Sequence, residues 1–209
     1  MAETASDRLP LRERKKQRTR QALIDTALDL FLERGVDRTT LDELCDAVEV
    51  SKRTFFRTFT SKEDVAMAPL QDLWIAFLAE LTDRPLRPVP LLETLQDTLL
   101  ATLDRMPADD WADRAQRSHR LVATTPAMAA HNLQFCDRTI GAALTILAQR
   151  FDLDPITDHR PRLALDILVA AFHRALDTWT TPDTATLAAT LRTTFAAVPA
   201  ALTLTPTPT

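Results

Sequence analysis

A short basic segment, residues 50–62, carries the clearest chemistry in this sequence. It holds four basic residues and no acidic one. Arginine can form two parallel hydrogen bonds to guanine in the major groove, so Arg53 is the first candidate for contact with a base. The other polar side chains are expected at bases or phosphates (Lys52, Thr54) or at phosphates alone (Arg57, Lys62). The pattern indicates binding to double-stranded DNA.

Two short helices separated by a tight turn are predicted to position these side chains. Thr40 is predicted to cap the first helix together with Glu43, three residues later. Apolar residues follow at helical spacing: Leu41, Leu44, Cys45 and Val48. Ser51 is predicted to cap the second helix, which turns Phe55 and Phe59 inward. Together they form a helix-turn-helix over roughly residues 39–59, an element that places its second helix in the major groove.

The distribution of charge and of exposed groups also favours DNA. The net charge is −4, but residues 8–20 hold seven basic residues and one acid, while the chain from residue 63 onward holds 12 basic and 18 acidic residues. Positive charge is thus local, as in a surface that contacts phosphate. Phe56 is predicted to be exposed on the basic helix, which indicates a binding partner. The helices that begin at Thr40 and Ser61 offer free backbone N–H groups to phosphate.

The rest of the chain is predicted to be helical, which gives an all-α fold of about nine helices. The first helix runs from about Leu11 to Arg34 and ends at Gly35, a residue typical of the position after a helix. The fourth runs from Ser61 to about Leu81, with Met67, Ala68 and Pro69 interrupting or kinking its early part. A proline-containing linker follows over residues 82–90. The remaining helices are expected at about 91–105, 109–123, 127–150, 160–180 and 183–198.

Three regions follow from this pattern. Residues 1–62 form a basic arm and a three-helix DNA-binding domain, residues 63–198 an effector-binding and dimerisation domain, and residues 199–209 a disordered tail. The segment 163–179 is apolar on more than one face, so it must bury two faces. We expect the helices near 160–180 and 183–198 to form a homodimer interface. The alternative is one fully internal helix in a monomer.

A pocket for a small apolar or amphipathic effector is expected in the C-terminal body. The candidate lining residues are Trp111, His119, Met128, His131, Phe135 and Trp179. For each of them, ordinary core packing is the alternative. His131 and Cys136 are five residues apart, which does not place two metal ligands on one helical face, so neither a metal nor another cofactor is expected.

Other classes of protein lack their sequence signals here. There is no glycine-rich phosphate loop, metal motif or nucleophile elbow, so an enzyme is not expected. No run of about 20 apolar residues occurs, so we expect no membrane span and a cytoplasmic location. Two alternatives stay open. One is a DNA-binding regulator without a small-molecule effector, and the other is a helical interaction module whose basic arm binds an acidic protein or membrane surface.

The run from Arg20 to Val65 resembles the N-terminal domain of the TetR (tetracycline repressor) family. The matching features are Leu30-Phe31, Gly35, Thr39-Thr40, Val50-Ser51, Thr54, Phe59 and Ser61-Lys62-Glu63-Asp64. The resemblance implies an Ω-shaped homodimer that acts as a repressor. It also implies that a small molecule in the C-terminal body shifts the two DNA-binding domains out of register. In the family's pattern, DNA contacts are common at Thr40, Ser51, Thr54 and Lys62.

Three residues depart from the family's pattern. Glu49 stands where the family has glycine in the turn before Val50-Ser51, so this turn must form without glycine's conformational freedom. Phe56 replaces a tyrosine, and it can stack against a sugar or a thymine methyl group but cannot donate a hydrogen bond to phosphate. Arg53 stands where glycine is frequent, which predicts a base contact particular to this protein.

Overall fold

A computed structural model describes residues 10–85, 87–107, 111–151, 153–154, 157–179 and 186–205. The predicted all-α fold is confirmed, since this part of the chain forms helices and contains no strand. Its helices are α1 (Leu11–Arg34), α2 (Leu41–Ala47), α3 (Lys52–Phe56), α4 (Lys62–Asp83), α5 (Leu91–Leu103), α6 (Trp111–Thr124), α7 (Pro126–Arg150), α8 (Arg160–Trp179) and α9 (Leu187–Leu202).

The start and end of α1 follow from local chemistry. Pro10 precedes the helix, and proline is tolerated there because the first turn leaves its N–H groups unpaired. Gly35 ends it with φ +91° and ψ 149°, a backbone conformation that glycine adopts and other residues rarely do. The Gly35 N–H donates to the carbonyl of Phe31 at 2.9 Å, which completes the last turn. The predicted end at Gly35 is confirmed.

Two predictions about where helices break or end are corrected. Of the two possibilities predicted for Pro69, an interruption is wrong, because α4 runs continuously from Lys62 to Asp83, while a kink stays a prediction. The residues before Pro69 are fully buried, and this packing compensates for the backbone hydrogen bond that proline cannot donate. The predicted disordered tail from residue 199 also differs, since α9 continues through Pro199 to Leu202. Residues 206–209 of that tail lie outside the described residues.

The first compact unit consists of the chain up to Pro69 together with Arg117–His131. Its core joins the short helices α2 and α3 to the longer helices around them. The buried members include Leu28, Phe31, Leu44, Phe55, Phe59, Leu121 and Met128. These boundaries do not coincide with the division predicted after residue 62, because a segment distant in sequence completes the core beside α2 and α3.

The second compact unit consists of Leu70–Gln116 and Asn132–Thr209. Its core includes Trp74, whose ring meets the Phe172 ring edge to face at a centroid distance of 5.1 Å. α8 and α9 pack against each other, and both also pack on α5. The Arg150 side chain donates to the carbonyls of Leu81 and Arg84, which satisfies acceptors at the end of α4.

Among the described helices, α4 alone is long and apolar enough to cross a membrane by length and composition. However, 61% of its most apolar window is buried inside the protein. A core helix of a globular protein has the same properties.

Candidate nucleic-acid interface

The N-terminus of α2 is closed by a reciprocal pair of hydrogen bonds. The Glu43 N–H donates to Thr40 Oγ1 at 3.2 Å, and the Thr40 N–H donates to Glu43 Oε2 at 2.7 Å. The predicted capping box is therefore confirmed. The hydrogen bond from the Thr40 backbone lowers the pKa of Glu43 below its usual value. Thr40 is exposed, and its hydroxyl also donates to Glu43 Oε2 at 2.9 Å.

The turn between α2 and α3 forms without glycine, as predicted, and it places Glu49 in a left-handed conformation. Glu49 has φ +55°, and it is the only non-glycine residue with positive φ in the described part of the chain. The Glu49 N–H donates to the backbone carbonyl of Asp46 at 3.1 Å, and the Val50 N–H donates to that of Cys45 at 3.0 Å. These bonds close the end of α2 and hold a conformation that costs an L-residue free energy.

α3 separates an inner apolar face from an outer polar one. Ser51 caps the helix by accepting a hydrogen bond from the Thr54 N–H at 3.2 Å, as predicted. Phe55 is fully buried, whereas Phe56 remains 57% exposed on the opposite side. Ser51, Lys52, Arg53 and Arg57 are also exposed, and Thr54 is half-buried. The predicted faces are confirmed for the buried Phe55 and for the exposed Lys52, Arg53, Phe56 and Arg57, and DNA contacts by the outward residues stay a prediction.

Lys52 is joined to α2 by an ion pair. Its Nζ lies 2.7 Å from Asp42 Oδ1, and both side chains are more than half exposed. The hydrogen bond to Asp42 raises the pKa of Lys52, so the ammonium stays charged. The sequence analysis did not predict this partner. The signal for the ion pair is an acidic residue in the first turn of α2 and a lysine in the first turn of α3.

Lys62 has a structural role beyond the expected phosphate contact. Its Nζ donates to the carbonyls of Val36 and Thr39, each at 2.8 Å. Two of its three N–H donors are thereby used to fix the turn between α1 and α2. The Thr39 hydroxyl donates to the Gly35 carbonyl at 3.0 Å and supports the same turn. A contact with DNA by the remaining donor stays a prediction.

A contact between α1 and the end of the helix-turn-helix was missed by sequence reasoning. The Arg20 guanidinium carbon lies 5.4 Å from the centroid of the Phe59 ring, a cation–π geometry. Arg20 therefore contributes to packing in the first unit. The only sequence signal was the basic run that ends at this residue.

The predicted effector residues are distributed over several places. Trp111 and Trp179 line one cavity of about 590 Å³ in the second unit. Phe135 lines a separate cavity of only about 10 Å³ in that unit. Met128 is fully buried in the core of the first unit. His119 and His131 also belong to the first unit, in the segment Arg117–His131. His119 is buried and His131 is half-buried. No group of metal-ligating side chains occurs among the described residues.

Comparison with known proteins agrees with this arrangement. Residues 23–68 match the family described as bacterial regulatory proteins, tetR family, and residues 89–203 match the MftR C-terminal domain. The chain is 38% identical over 164 residues to the HTH-type transcriptional regulator TcmR of Streptomyces glaucescens, covering 77% of this chain and 72% of that protein. The chain belongs to the TetR family. It is therefore a helix-turn-helix transcriptional regulator.

Two further comparisons extend the likeness within the TetR family. The chain is 24% identical over 146 residues to the probable acrEF/envCD operon repressor of Escherichia coli strain K12, covering 67% of this chain and 59% of that protein. A TetR-family regulator from Syntrophomonas wolfei superposes with a TM-score of 0.58 at 19% identity, covering 86% of this chain and 92% of that one. The structural likeness concerns the fold alone.

Proposed function

We propose that this regulator is a homodimeric repressor that binds a roughly palindromic operator and is released by a small apolar or amphipathic effector. The observation that carries the DNA-binding part is the exposed face of α3, where Arg53 and Phe56 project from a helix fixed by the buried Phe55. The relative named as a probable operon repressor supports repression. DNA as the target also implies a cytoplasmic location.

The exposed side chains divide by chemistry into base and backbone contacts. Arg53 offers the fork of donors that suits guanine, and Phe56 offers an apolar ring to a thymine methyl or a sugar. Lys52, Thr54 and Arg57 extend these contacts to neighbouring bases or phosphates. The hydroxyls of Thr40 and Ser51 lie at the helix N-termini, where the backbone N–H groups favour phosphate.

A homodimer through α8 and α9 is supported by the faces that these helices leave uncovered. α8 buries Leu165, Leu168 and Phe172 within its own unit, while Leu163 remains 57% exposed on another face. α9 buries Leu187, Leu191 and Phe195, and its outer positions are mostly small: Ala189, Thr193, Ala196, Ala197 and Ala200. Small side chains let a second pair of helices approach closely. In such a dimer, two α3 helices about 34 Å apart enter successive major grooves.

The proposed effector site is the cavity that contains Trp111 and Trp179. Leu103 and Met106 add apolar surface, and Gln116 supplies a polar group within the same unit. A volume of about 590 Å³ lies within the range of small-molecule sites in proteins. An effector bound there would favour a dimer with unsuitable spacing of the α3 helices, so operator occupancy would fall by population shift.

The first experiment selects operator DNA. Sheared genomic DNA is retained on wild-type protein, on Arg53→Ala and on Arg138→Ala, an exposed arginine of α7 that serves as a matched control. We expect wild type and the control to enrich the same palindromic site, and Arg53→Ala to lose or relax that enrichment. Retention without sequence preference by all three proteins would overturn the repressor proposal.

The second experiment tests the effector site. A library of small apolar and amphipathic compounds is screened for an increase in Tm, and each hit is tested for release of the selected DNA. Ala112, an exposed residue that lines the cavity, is replaced by Phe to fill the space without disturbing the core. Ala112→Phe should bind DNA normally and lose the response to the hit. An unchanged response would exclude this cavity as the effector site.

A further inference from the structure

A cleft of about 430 Å³ opens between the first turns of α1 and the end of α3, within the first compact unit. α1 contributes Arg12, Lys15, Lys16 and Thr19, which recur at helical spacing and so lie on one face. The other side is formed by Thr54, Arg57 and Thr58. We call this space the arm cleft.

The arm cleft is strongly cationic. Of its charged lining residues, Arg12, Lys15, Lys16 and Arg57 are basic and Glu13 alone is acidic. Glu13 lies 3.8 Å from Lys16 Nζ, and both side chains are about half exposed or more. One carboxylate therefore offsets one cation and leaves an excess of positive charge. Like charges so close together repel each other, and an anion entering between them relieves that repulsion.

The arm cleft is continuous with the surface that reads DNA. Thr54 and Arg57 belong to α3 and the residue after it, so they line the cleft beside the exposed Arg53 and Phe56. A helix that lies in the major groove is flanked by the phosphate backbones on either side. Side chains at the edge of such a helix meet phosphates rather than bases.

We propose that the arm cleft binds backbone phosphates of the DNA beside the major groove that α3 enters, with Lys15 and Lys16 as the main contacts. This inference rests on the proposed function and adds residues of α1 to the interface. The contacts supply affinity that does not depend on sequence, while Arg53 supplies the preference for a site. At about 430 Å³ the cleft has room for a phosphate group.

The test measures how DNA affinity depends on salt. Wild type and the double variant Lys15→Gln/Lys16→Gln are titrated with a selected operator duplex and with a scrambled duplex of equal length. Counterion release predicts that the slope of log K against log salt falls in magnitude by about 0.9 for each phosphate that the variant no longer neutralises. We expect this fall on both duplexes, doubled in a dimer, with the preference for the operator unchanged.

Two single variants sharpen the experiment. Arg18→Gln removes a positive charge from an exposed position of α1 that does not line the cleft, so its slope should change by less than half as much as that of the double lysine variant. Glu13→Gln removes the one carboxylate from the cleft and should tighten binding to both duplexes several-fold. A gain of affinity cannot result from loss of folding, and circular dichroism checks the fold of the double lysine variant.

The outcomes separate the two proposals. If wild type prefers the operator but the double lysine variant keeps the wild-type slope, the arm cleft does not contact DNA and the proposed function stands. If the slope falls as expected while wild type shows no preference for the operator, the cleft binds phosphate and the repressor proposal fails. If inorganic phosphate at constant ionic strength displaces neither duplex more than chloride does, a site for free phosphate is excluded in favour of the DNA backbone.

Discussion

Lys52 Nζ lies 2.7 Å from Asp42 Oδ1, and this ion pair joins the first turn of α3 to the first turn of α2. It places a carboxylate on the surface where DNA is expected. The same carboxylate holds the ammonium of Lys52 away from other partners. In the free protein, Lys52 is thus paired with Asp42 and not available to a phosphate unless this ion pair opens.

Replacing Asp42 with asparagine should therefore tighten DNA binding. Asp42→Asn removes a negative charge that repels phosphate and releases Lys52 to bind it, so the salt slope should steepen by about 0.9 for each additional phosphate that the protein neutralises. Fluorescence anisotropy with labelled duplex over a range of salt measures this. Asp46→Asn is the matched control, since Asp46 is also exposed on α2 but is not paired with Lys52. Weaker binding by Asp42→Asn would mean that the ion pair positions Lys52 for its DNA contact.

Lys62 should contribute more to stability than an exposed lysine does. Lys62→Met removes the donors to the carbonyls of Val36 and Thr39 and leaves two partly buried acceptors without them. We expect the free energy of unfolding to fall by about 2 kcal/mol, the usual cost of an unsatisfied buried group. Urea denaturation measures the loss. Lys16→Met, at an exposed position, should change stability by less than about 0.5 kcal/mol.

The opposite result would restore the role predicted from sequence. If Lys62→Met unfolds at the wild-type urea concentration and binds DNA less tightly, a phosphate contact is the main role of Lys62. The DNA measurement is made well below the unfolding transition, so that a smaller fraction of folded protein is not mistaken for weaker binding.

The helices of the DNA-binding domain could be predicted because their signals are local. The cap at Thr40 needs only Glu43, three residues away, and the end of α1 needs only Gly35. The partners of Lys62 could not be predicted in this way. They lie 23 and 26 residues earlier in the chain, and no periodic pattern connects residues so far apart.

The candidate effector site was predictable only in part for a related reason. Trp111 and Trp179 come together because the end of α8 returns to the start of α6. Met128 was predicted to line the same pocket, but its segment, Arg117–His131, packs in the other compact unit. Composition and spacing along one helix do not show which core a helix joins.

The capping box on α2 should make stability depend on pH in the acid range. The pKa of Glu43 is lowered in the folded protein, mainly by the hydrogen bond from the Thr40 backbone. The carboxylate's contribution is complete above the ordinary glutamate value of about 4.5 and is lost as the pH falls through the lowered value. Glutamine can form the same capping bond without titrating, so Glu43→Gln should flatten this part of the profile.

Urea denaturation from neutral into acid pH measures this effect. Glu33→Gln is the control, because Glu33 is an exposed glutamate of α1 outside any capping box. Wild type and Glu33→Gln should lose stability in parallel as the pH falls, while Glu43→Gln should lose less. Parallel loss in all three proteins would mean that the pKa of Glu43 is the same in the folded and unfolded chains.

Glu49 is the position where a substitution toward the family's pattern should stabilise the protein. Its φ of +55° costs an L-residue about 1–2 kcal/mol, a cost that glycine avoids. Glycine also gains more freedom in the unfolded chain, by about 0.5–1 kcal/mol, so the expected net gain for Glu49→Gly is about 0.5 kcal/mol. Ala47→Gly, inside α2, should instead lose about 1 kcal/mol, since its backbone is helical.

Glu49→Gln separates the backbone effect from the loss of charge. It removes the negative charge but keeps the strained conformation, so its free energy of unfolding should match that of wild type. DNA affinity should rise equally in Glu49→Gly and Glu49→Gln if the exposed carboxylate repels phosphate. If glycine alone raises affinity, the strain at Glu49 affects how α3 is presented to DNA. Stability of Glu49→Gly at or below that of wild type would show that the bonds from Glu49 and Val50 to the end of α2 already offset the cost of the left-handed turn.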